Sequence, residues 1–196
     1  MERPDELQGL PVLPFETVRE WRDWLSAQPE GARGLWVRFA RSGSGIASIT
    51  HAEALEEALC DGWIDGQVRR LDDRWWAQRF GPRTARSRWS KVNREAAERL
   101  IDQGRMRPGG LREVERAKAD GRWVAAYDPP SRARVPEDLA AALAVSPEAA
   151  RFFEALDSRN RYSVLHRVEA AKRPETRARR IAQFVAMLER GEKLYP

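Results

Sequence analysis

The stretch from residue 51 to residue 89 constrains the fold most, because it holds four of the eight tryptophans and the only cysteine. Just before it, Thr50 and Glu53 have the spacing of a capping box, in which two residues satisfy free backbone amides at a helix N-terminus. The helix that this spacing predicts runs to Cys60. The chain then continues as an apolar strand that carries a single acid, Asp65.

Two strand patterns follow this helix and predict a hairpin. They occupy residues 63–70 and 74–80, and the polar segment 71–73 between them is short enough for a tight turn. Upstream, residues 35–40 place apolar side chains at alternate positions, which predicts another strand. Because a lone hairpin is only marginally stable, we expect these three strands to form a small antiparallel sheet covered by helices.

The turn and linker signals in the chain predict two parts. Residues 1–14 contain three prolines and are expected to form an irregular lead segment. We predict an N-terminal part over residues 1–120 that holds the sheet, a linker over 121–135 and a C-terminal helical bundle over 136–196. This organisation belongs to the α+β class.

Four runs of sequence carry a resemblance to a known family: residues 58–67 (ALCDGWIDGQ), 78–80 (QRF), 87–93 (SRWSKVN) and 171–181 (AKRPETRARRI). Together they resemble the YdeI/OmpD-associated family over most of the chain. Asp61 and Gly81 depart from the pattern, since that family usually has an aromatic residue and a threonine there. The resemblance implies a small bacterial protein linked to bacteriocin or envelope-stress protection and to porin association, with no assigned reaction.

The composition predicts a cytoplasmic protein. Residues 1–6 are largely acidic and lack the apolar core of a signal peptide. No segment approaches the ~20 apolar residues that a membrane helix needs, so we expect no membrane insertion. The single cysteine excludes an internal disulfide and fits a reducing compartment.

Positive charge is concentrated in two blocks of the sequence. Residues 67–107 carry 12 basic and five acidic side chains, a net charge of +7, and residues 157–196 carry a net charge of +5. Arginine outnumbers lysine 31 to 4, a bias that a GC-rich genome also produces. The blocks are therefore open to two interpretations, as solvated surface or as a patch that faces an anion.

The residues that could carry chemistry form no recognised catalytic or metal-binding motif. Cys60 lies at a helix C-terminus, where the helix dipole disfavours a thiolate, and His51 is about 13 Å away at the other end of that helix. We therefore expect a structural thiol. The spacing of histidine and cysteine predicts no metal site, and the glycine-rich segment 42–45 lacks the Lys-Ser/Thr pair of a phosphate-binding loop. No cofactor is implied.

Asp65 is the polar residue that most needs a partner, because an isolated carboxylate in an apolar strand is costly to bury. Arg79 on the neighbouring strand or Arg88 could pair with it, and a ligand-binding or acid–base role is the alternative. Around this acid, the candidate ligand- or anion-binding residues are Trp63, Asp65, Gln67, Arg79, Arg83, Arg88, Trp89 and Lys91.

The sequence leaves three functions open. The favoured hypothesis is a non-enzymatic interaction protein, in which the tryptophan-lined sheet and the basic connector after it receive a protein or anionic partner. The second hypothesis is a nucleic-acid-binding accessory protein, because residues 79–94 interleave cations with aromatic rings. The third is a small-molecule enzyme that uses Asp65. The oligomeric state is not determined by the sequence.

Overall fold

The computed structural model describes residues 6–129 and 132–196, and the chain divides into two compact units. The first unit ends at Ala126, and the second spans Tyr127–Pro196. The strands and helices of the first unit are β1 (Glu6–Leu7), β2 (Leu10–Pro14), α1 (Val18–Ser26), β3 (Leu35–Ala40), α2 (His51–Cys60), β4 (Trp63–Arg70), β5 (Trp75–Pro82), α3 (Lys91–Asp102) and α4 (Pro108–Ala119). Those of the second are α5 (Glu137–Ala144), α6 (Pro147–Ala155), α7 (Ser158–Glu169) and α8 (Pro174–Glu189).

The predicted α+β class is confirmed. The sheet has the strand order β1-β2-β3-β5-β4 among the described residues, and β3, β5 and β4 form the predicted antiparallel trio. Strands β4 and β5 are the predicted hairpin, with Asp65 opposite Phe80 and Arg69 opposite Ala77. A bulge between Asp65 and Val68 shifts the register once along β4.

The prediction of an irregular lead segment is wrong from Glu6 onward, while residues 1–5 lie outside the described part of the chain. Strand β2 pairs with β3 in parallel, and β1 pairs with β2 in the antiparallel sense, so the sheet has two more strands than predicted. The prolines of β2, Pro11 and Pro14, are both exposed, whereas Leu10 and Val12 are buried. Burial of Leu10 and Val12 against β3 thus stabilises the strand more than the missing N–H groups of the two prolines destabilise it.

Helices α1 and α2 cover one face of the sheet. Both begin with a complete capping box, Thr17 with Glu20 and Thr50 with Glu53. Their apolar side chains pack on the inward residues of β3 and β5, and Trp21 Nε1 donates a hydrogen bond of 3.0 Å to the Ala54 carbonyl. The core cluster on this face comprises Phe15, Trp21, Leu25, Leu35, Val37, Phe39, Ile49, Ala54, Ala58, Trp63 and Phe80.

The other side of β3 faces a smaller cluster. Trp36 is fully buried there with Leu10, Val12 and Ala77, and its Nε1 donates a hydrogen bond of 3.0 Å to the Leu7 carbonyl. Neighbouring side chains of a strand point to opposite faces, which is why Trp36 leaves the core that its neighbours occupy. The N-terminal strands therefore shield part of this second face.

Helices α3 and α4 complete the first unit by packing on the far side of α2 around Leu59, Cys60, Trp89, Leu100 and Val114. The second unit has its own core, supplied by all four of its helices. The last helix contributes Ile181, Phe184 and Leu188 to it, in agreement with the helical spacing of these residues.

Candidate functional site

The acid of strand β4 is held by a histidine and an amide. His51 Nε2 lies 3.0 Å from Asp65 Oδ2, and Gln78 Nε2 donates to the same oxygen at 2.7 Å. The predicted pairing of Asp65 with Arg79 or Arg88 is wrong, since His51 and Gln78 are its described partners.

The register of the hairpin explains this correction. Asp65 lies opposite Phe80, so Phe80 and Gln78 share its face of the sheet, while the intervening Arg79 points to the other face. His51 comes within reach because it is the first residue of α2, which packs over that face. The sequence signal for this contact was the alternation of side chains along β4 and β5. It places Gln78, and not Arg79, on the sheet face that carries Asp65.

A cationic surface occupies the second face of the sheet, and we call Arg38, Arg69 and Arg79 the arginine face. Arg38 and Arg69 lie opposite Ala77 from the two neighbouring strands, and Arg79 is two residues further along β5 on the same face. The guanidinium of Arg38 lies 4.6 Å from the centre of the Trp75 ring, which orients it. Arg69 and Arg79 are exposed, and neither forms an ion pair with any residue in the described ranges.

Strand β4 borders this surface as the last strand of the sheet. Its residues from Gly66 to Arg70 are all exposed, and the side chain of Val68 is 59% exposed. An edge strand presents backbone donors and acceptors that a partner strand can pair with, and charged side chains on it limit unspecific pairing. The arginine face therefore adjoins an open sheet edge with one exposed apolar side chain.

Of the other predicted site residues, Trp63 and Arg83 line one cavity, and the rest lie elsewhere. Trp63 belongs to the main core and Trp89 to the cluster around α3 and α4. Arg83 is only 5% exposed, its guanidinium lies 3.5 Å from the centre of the Trp89 ring, and its Nη1 donates to the Arg88 carbonyl. These contacts support a packing role for Arg83 and Trp89.

Two further residues of the predicted site, Gln67 and Lys91, have polar side chains. Gln67 is exposed on the β4 edge, and Lys91 begins α3.

Burial of the aromatic rings limits what the basic surface can bind. Trp36, Trp63, Trp75 and Trp89 are all buried, so none of them offers a free ring face to a nucleic-acid base. Stacking on exposed aromatic rings is the main source of sequence-tolerant affinity for single strands. The arginine face therefore has no exposed stacking ring among the described residues, whereas Trp76, which is partly exposed, lies on the opposite face of the sheet.

Sequence reasoning missed the largest polar network of the unit, which centres on Glu57. This glutamate is 1% exposed, and it accepts hydrogen bonds of 2.9–3.0 Å from Arg22, Arg105 and Arg107. Burial alone would raise the pKa of Glu57, but the three guanidinium groups outweigh it and lower the pKa from 4.5 to about 2. Arg107 also pairs with Asp61, so the network fastens α1 and the start of α4 to α2.

Cys60 has the environment of a structural thiol. Its side chain is fully buried, and desolvation raises the pKa of the thiol above its ordinary value. Within the described ranges there is also no group of three or more metal-ligating side chains.

Three cavities stand out in the described parts of the chain. One of about 500 Å³ is lined by Trp63, Arg83 and the start of α4, with acidic and basic side chains on its wall. Another of about 360 Å³ lies between the segment 41–46 and the start of α2. The second unit has an apolar groove of about 620 Å³ along α5 and α8. Asp65, Arg79 and Arg88 line none of the three.

Family models match segments in both units. A family model described as a domain of unknown function, DUF8412, matches residues 13–113, which is more than half of the 196-residue chain. The chain belongs to the DUF8412 family. This match covers β3, β4, β5, α1–α3 and the first half of α4, while β1 and most of β2 precede it, and it includes the sequence runs 58–67, 78–80 and 87–93.

A second family model confirms the resemblance to the YdeI/OmpD-associated family over part of the chain, within the second unit. It is described as bacteriocin-protection, YdeI or OmpD-associated, and it matches residues 132–191 within the second unit. The sequence run 171–181 lies inside this match. No curated protein and no solved structure matches the chain. No helix in the described ranges is both long and apolar enough to cross a membrane.

Proposed function

We propose that the protein is a non-enzymatic accessory protein that binds an acidic, extended segment of a partner protein on its arginine face. The observation that carries this proposal is that Arg69 and Arg79 share one exposed sheet face and pair with no acid in the described ranges. Cations inside a structural network, such as Arg107, are instead fully engaged with carboxylates. Uncompensated cations on a rigid sheet are available to an incoming carboxylate.

The open edge of β4 favours an extended partner over a compact one. A peptide that lies beside residues 66–70 can pair with the backbone of the edge strand, while its alternate side chains reach the arginine face. Val68 gives such a peptide one apolar contact. Charge supplies attraction and orientation, and the backbone pairing supplies further affinity.

The burial of the tryptophans is the reason to prefer a protein partner over nucleic acid. Without an exposed ring on the arginine face, a single strand bound there would gain only phosphate contacts with arginine, which carry little specificity. We further propose that the accessory role is in bacteriocin or envelope-stress protection. That part rests on the family description that matches the second unit.

The test measures binding of a fluorescein-labelled peptide of alternating glutamate and threonine by fluorescence anisotropy at several salt concentrations. The double variant Arg69→Gln/Arg79→Gln should weaken binding at least about tenfold, because each charge-assisted hydrogen bond contributes on the order of 1.5–3 kcal/mol. Affinity should also fall as salt rises, because the contacts are exposed.

A matched control removes the same charge elsewhere in the first unit. Arg19 and Arg112 are exposed on α1 and α4, so Arg19→Gln/Arg112→Gln should leave peptide binding unchanged. Equal binding by the wild type and the arginine-face variant would refute the proposal. If a single-stranded oligonucleotide binds more tightly than the peptide, and the same variant weakens that binding, the result would support the nucleic-acid hypothesis for this surface instead.

A further inference from the structure

The cavity of about 360 Å³ beside α2 is separate from the arginine face and has a distinct chemistry. Its wall is formed by the end of β3, the glycine-rich segment 41–46, the start of α2 and Trp76. Gly43 and Gly45 have positive φ angles, and a Cβ added at either would meet nothing within 4 Å, so the loop is open there. His51 is the titratable residue of α2 on this wall.

The contact with Asp65 fixes which nitrogen of His51 carries the proton. A carboxylate oxygen only accepts hydrogen bonds, so in the neutral imidazole the Nε2 atom, 3.0 Å from Asp65 Oδ2, must carry the hydrogen. Nδ1 then keeps its lone pair. It has no hydrogen-bond partner among the described residues, and His51 is one of the residues that line the cavity.

Gln78 makes this arrangement rigid. Its side chain is buried, and its Nε2 donates to Asp65 Oδ2 and also to the Gly66 carbonyl at 3.3 Å. The carboxylate is thus held from two sides, and the centre of the imidazole lies 6.0–6.2 Å from the ring centres of Phe39, Trp76 and Phe80. A side chain fixed by this many contacts is preorganised to accept a hydrogen bond.

The start of α2 gives the cavity no free anion-binding site, although the cation Arg41 lines its wall. The N-terminus of α2 would attract an anion, but Glu53 already occupies it by accepting a hydrogen bond of 2.8 Å from the Thr50 amide. Hydrogen bonds from the backbone and hydroxyl groups of Thr50 lower the pKa of Glu53, so this carboxylate is charged at neutral pH. The N-terminus of α2 is therefore already occupied by a carboxylate of the protein.

The remaining polar groups suit a ligand with several hydroxyl groups. The hydroxyls of Ser48 and Thr50 are engaged, since each donates and accepts a hydrogen bond within the protein. Ser42 makes no side-chain hydrogen bond in the described part of the chain, and Ser44 only accepts one from the Ile46 amide. These two hydroxyls and the Nη atoms of Arg41, which also lines the cavity, can exchange hydrogen bonds with a ligand.

The aromatic side of the cavity supplies the apolar contact that such a ligand needs. Trp76 stacks on Phe39 with a centroid distance of 4.7 Å and an interplanar angle of 25°, and Trp76 remains partly exposed. A sugar ring has an apolar face and polar hydroxyl groups. The flat aromatic surface can contact the apolar face, while the protein hydroxyls and the histidine acceptor can bind the sugar hydroxyls. We propose that this cavity binds a neutral carbohydrate, with His51 Nδ1 accepting a hydrogen bond from a ligand hydroxyl.

The first part of the test reads the tautomer of His51 in the full chain without ligand. Long-range ¹H–¹⁵N NMR spectra distinguish Nε2–H from Nδ1–H imidazole, and the variant His166→Gln assigns the signals because the chain has only two histidines. The expected result is the Nε2–H tautomer for His51. An Nδ1–H tautomer would overturn the proposal, whether or not any variant folds.

The second part titrates the protein with glucose, galactose, mannose and ribose, and separately with inorganic phosphate. Sugar binding should shift the indole signal of Trp76 and the imidazole signals of His51 while leaving His166 unchanged. In Asp65→Asn the Nε2–H tautomer of His51 is no longer enforced, so Nδ1 is no longer a fixed acceptor. Binding of the tightest-binding sugar should therefore weaken about tenfold. No shift with any sugar, or a response to phosphate alone, would overturn the proposal.

Discussion

Replacing the buried glutamate Glu57 with glutamine should destabilise the first unit by about 3 kcal/mol at neutral pH. The carboxylate is 1% exposed and is contacted by three guanidinium groups, from Arg22, Arg105 and Arg107. In Glu57→Gln one amide oxygen remains as an acceptor, and the new NH₂ group faces cations. Removing one partner of a buried ion pair typically costs about 3–5 kcal/mol, because the remaining charges lose their compensation.

The structure places this loss at the lower end of that range. The side chains of Arg22 and Arg105 are 48% and 39% exposed, so water can partly solvate them when the carboxylate is lost. The pKa of Glu57 leads to a similar value. A decrease from 4.5 to about 2, at about 1.4 kcal/mol per pKa unit, corresponds to about 3 kcal/mol of stability at neutral pH.

The pH dependence of unfolding supplies a second readout with a defined sign. The pKa of Glu57 is depressed in the folded state, so its contribution is present above pH 4.5 and is lost as the pH falls through 4.5 towards 2. Urea unfolding of the wild type, followed by tryptophan fluorescence, should show this loss. The difference between the wild type and Glu57→Gln should shrink over the same window.

Glu56→Gln is the matched control, because it removes the same charge from the neighbouring residue of α2. Glu56 is 33% exposed and pairs with Arg99 and Arg105, so its replacement should cost less than about 1 kcal/mol. Equal losses in the two variants, or a Glu57→Gln difference that does not change between pH 4.5 and 2, would refute the reasoning. In that case the network would behave as a set of exposed ion pairs.

Two further predictions concern the end of α2. Gly62→Ala should cost at least about 2 kcal/mol, because φ is +80° and the new Cβ would lie 2.7 Å from the Gly109 carbonyl oxygen. Gly104→Ala, with a similar φ and no atom within 4 Å, should cost about 1 kcal/mol, and equal urea midpoints for the two variants would contradict the role of the close contact. Cys60 should react with a thiol probe far more slowly in the native protein than in urea, because burial raises its pKa, and rapid native labelling would show that the thiol is accessible.

The parts of the fold that depend on local sequence were predictable. Thr50 and Glu53 are three residues apart, so the capping box and the helix start follow from the sequence alone. The hairpin of β4 and β5 has a short turn and strong strand patterns, and it was predicted with nearly the observed bounds. In contrast, β2 was missed because its pairing with β3 is non-local and two prolines obscure its pattern.

The contacts of the candidate sites were harder to predict, because they depend on register and on distant segments. The partner of Asp65 follows from which face of β5 it shares, and a shift by one residue exchanges Gln78 for Arg79. The three arginines around Glu57 lie 35–50 residues away in the sequence and come from two segments, α1 and the connection between α3 and α4. Only the packing of α1, α2 and α4 brings them together.

The distribution of tryptophan between the two units determines what a spectroscopic unfolding experiment can detect. All eight tryptophans lie at or before residue 123, whereas the second unit, Tyr127–Pro196, contains none. Fluorescence excited in the indole band therefore reports the first unit, while far-ultraviolet circular dichroism also records α5–α8. Agreement between the two signals would indicate that the units unfold together, and separate transitions would show that each has its own stability.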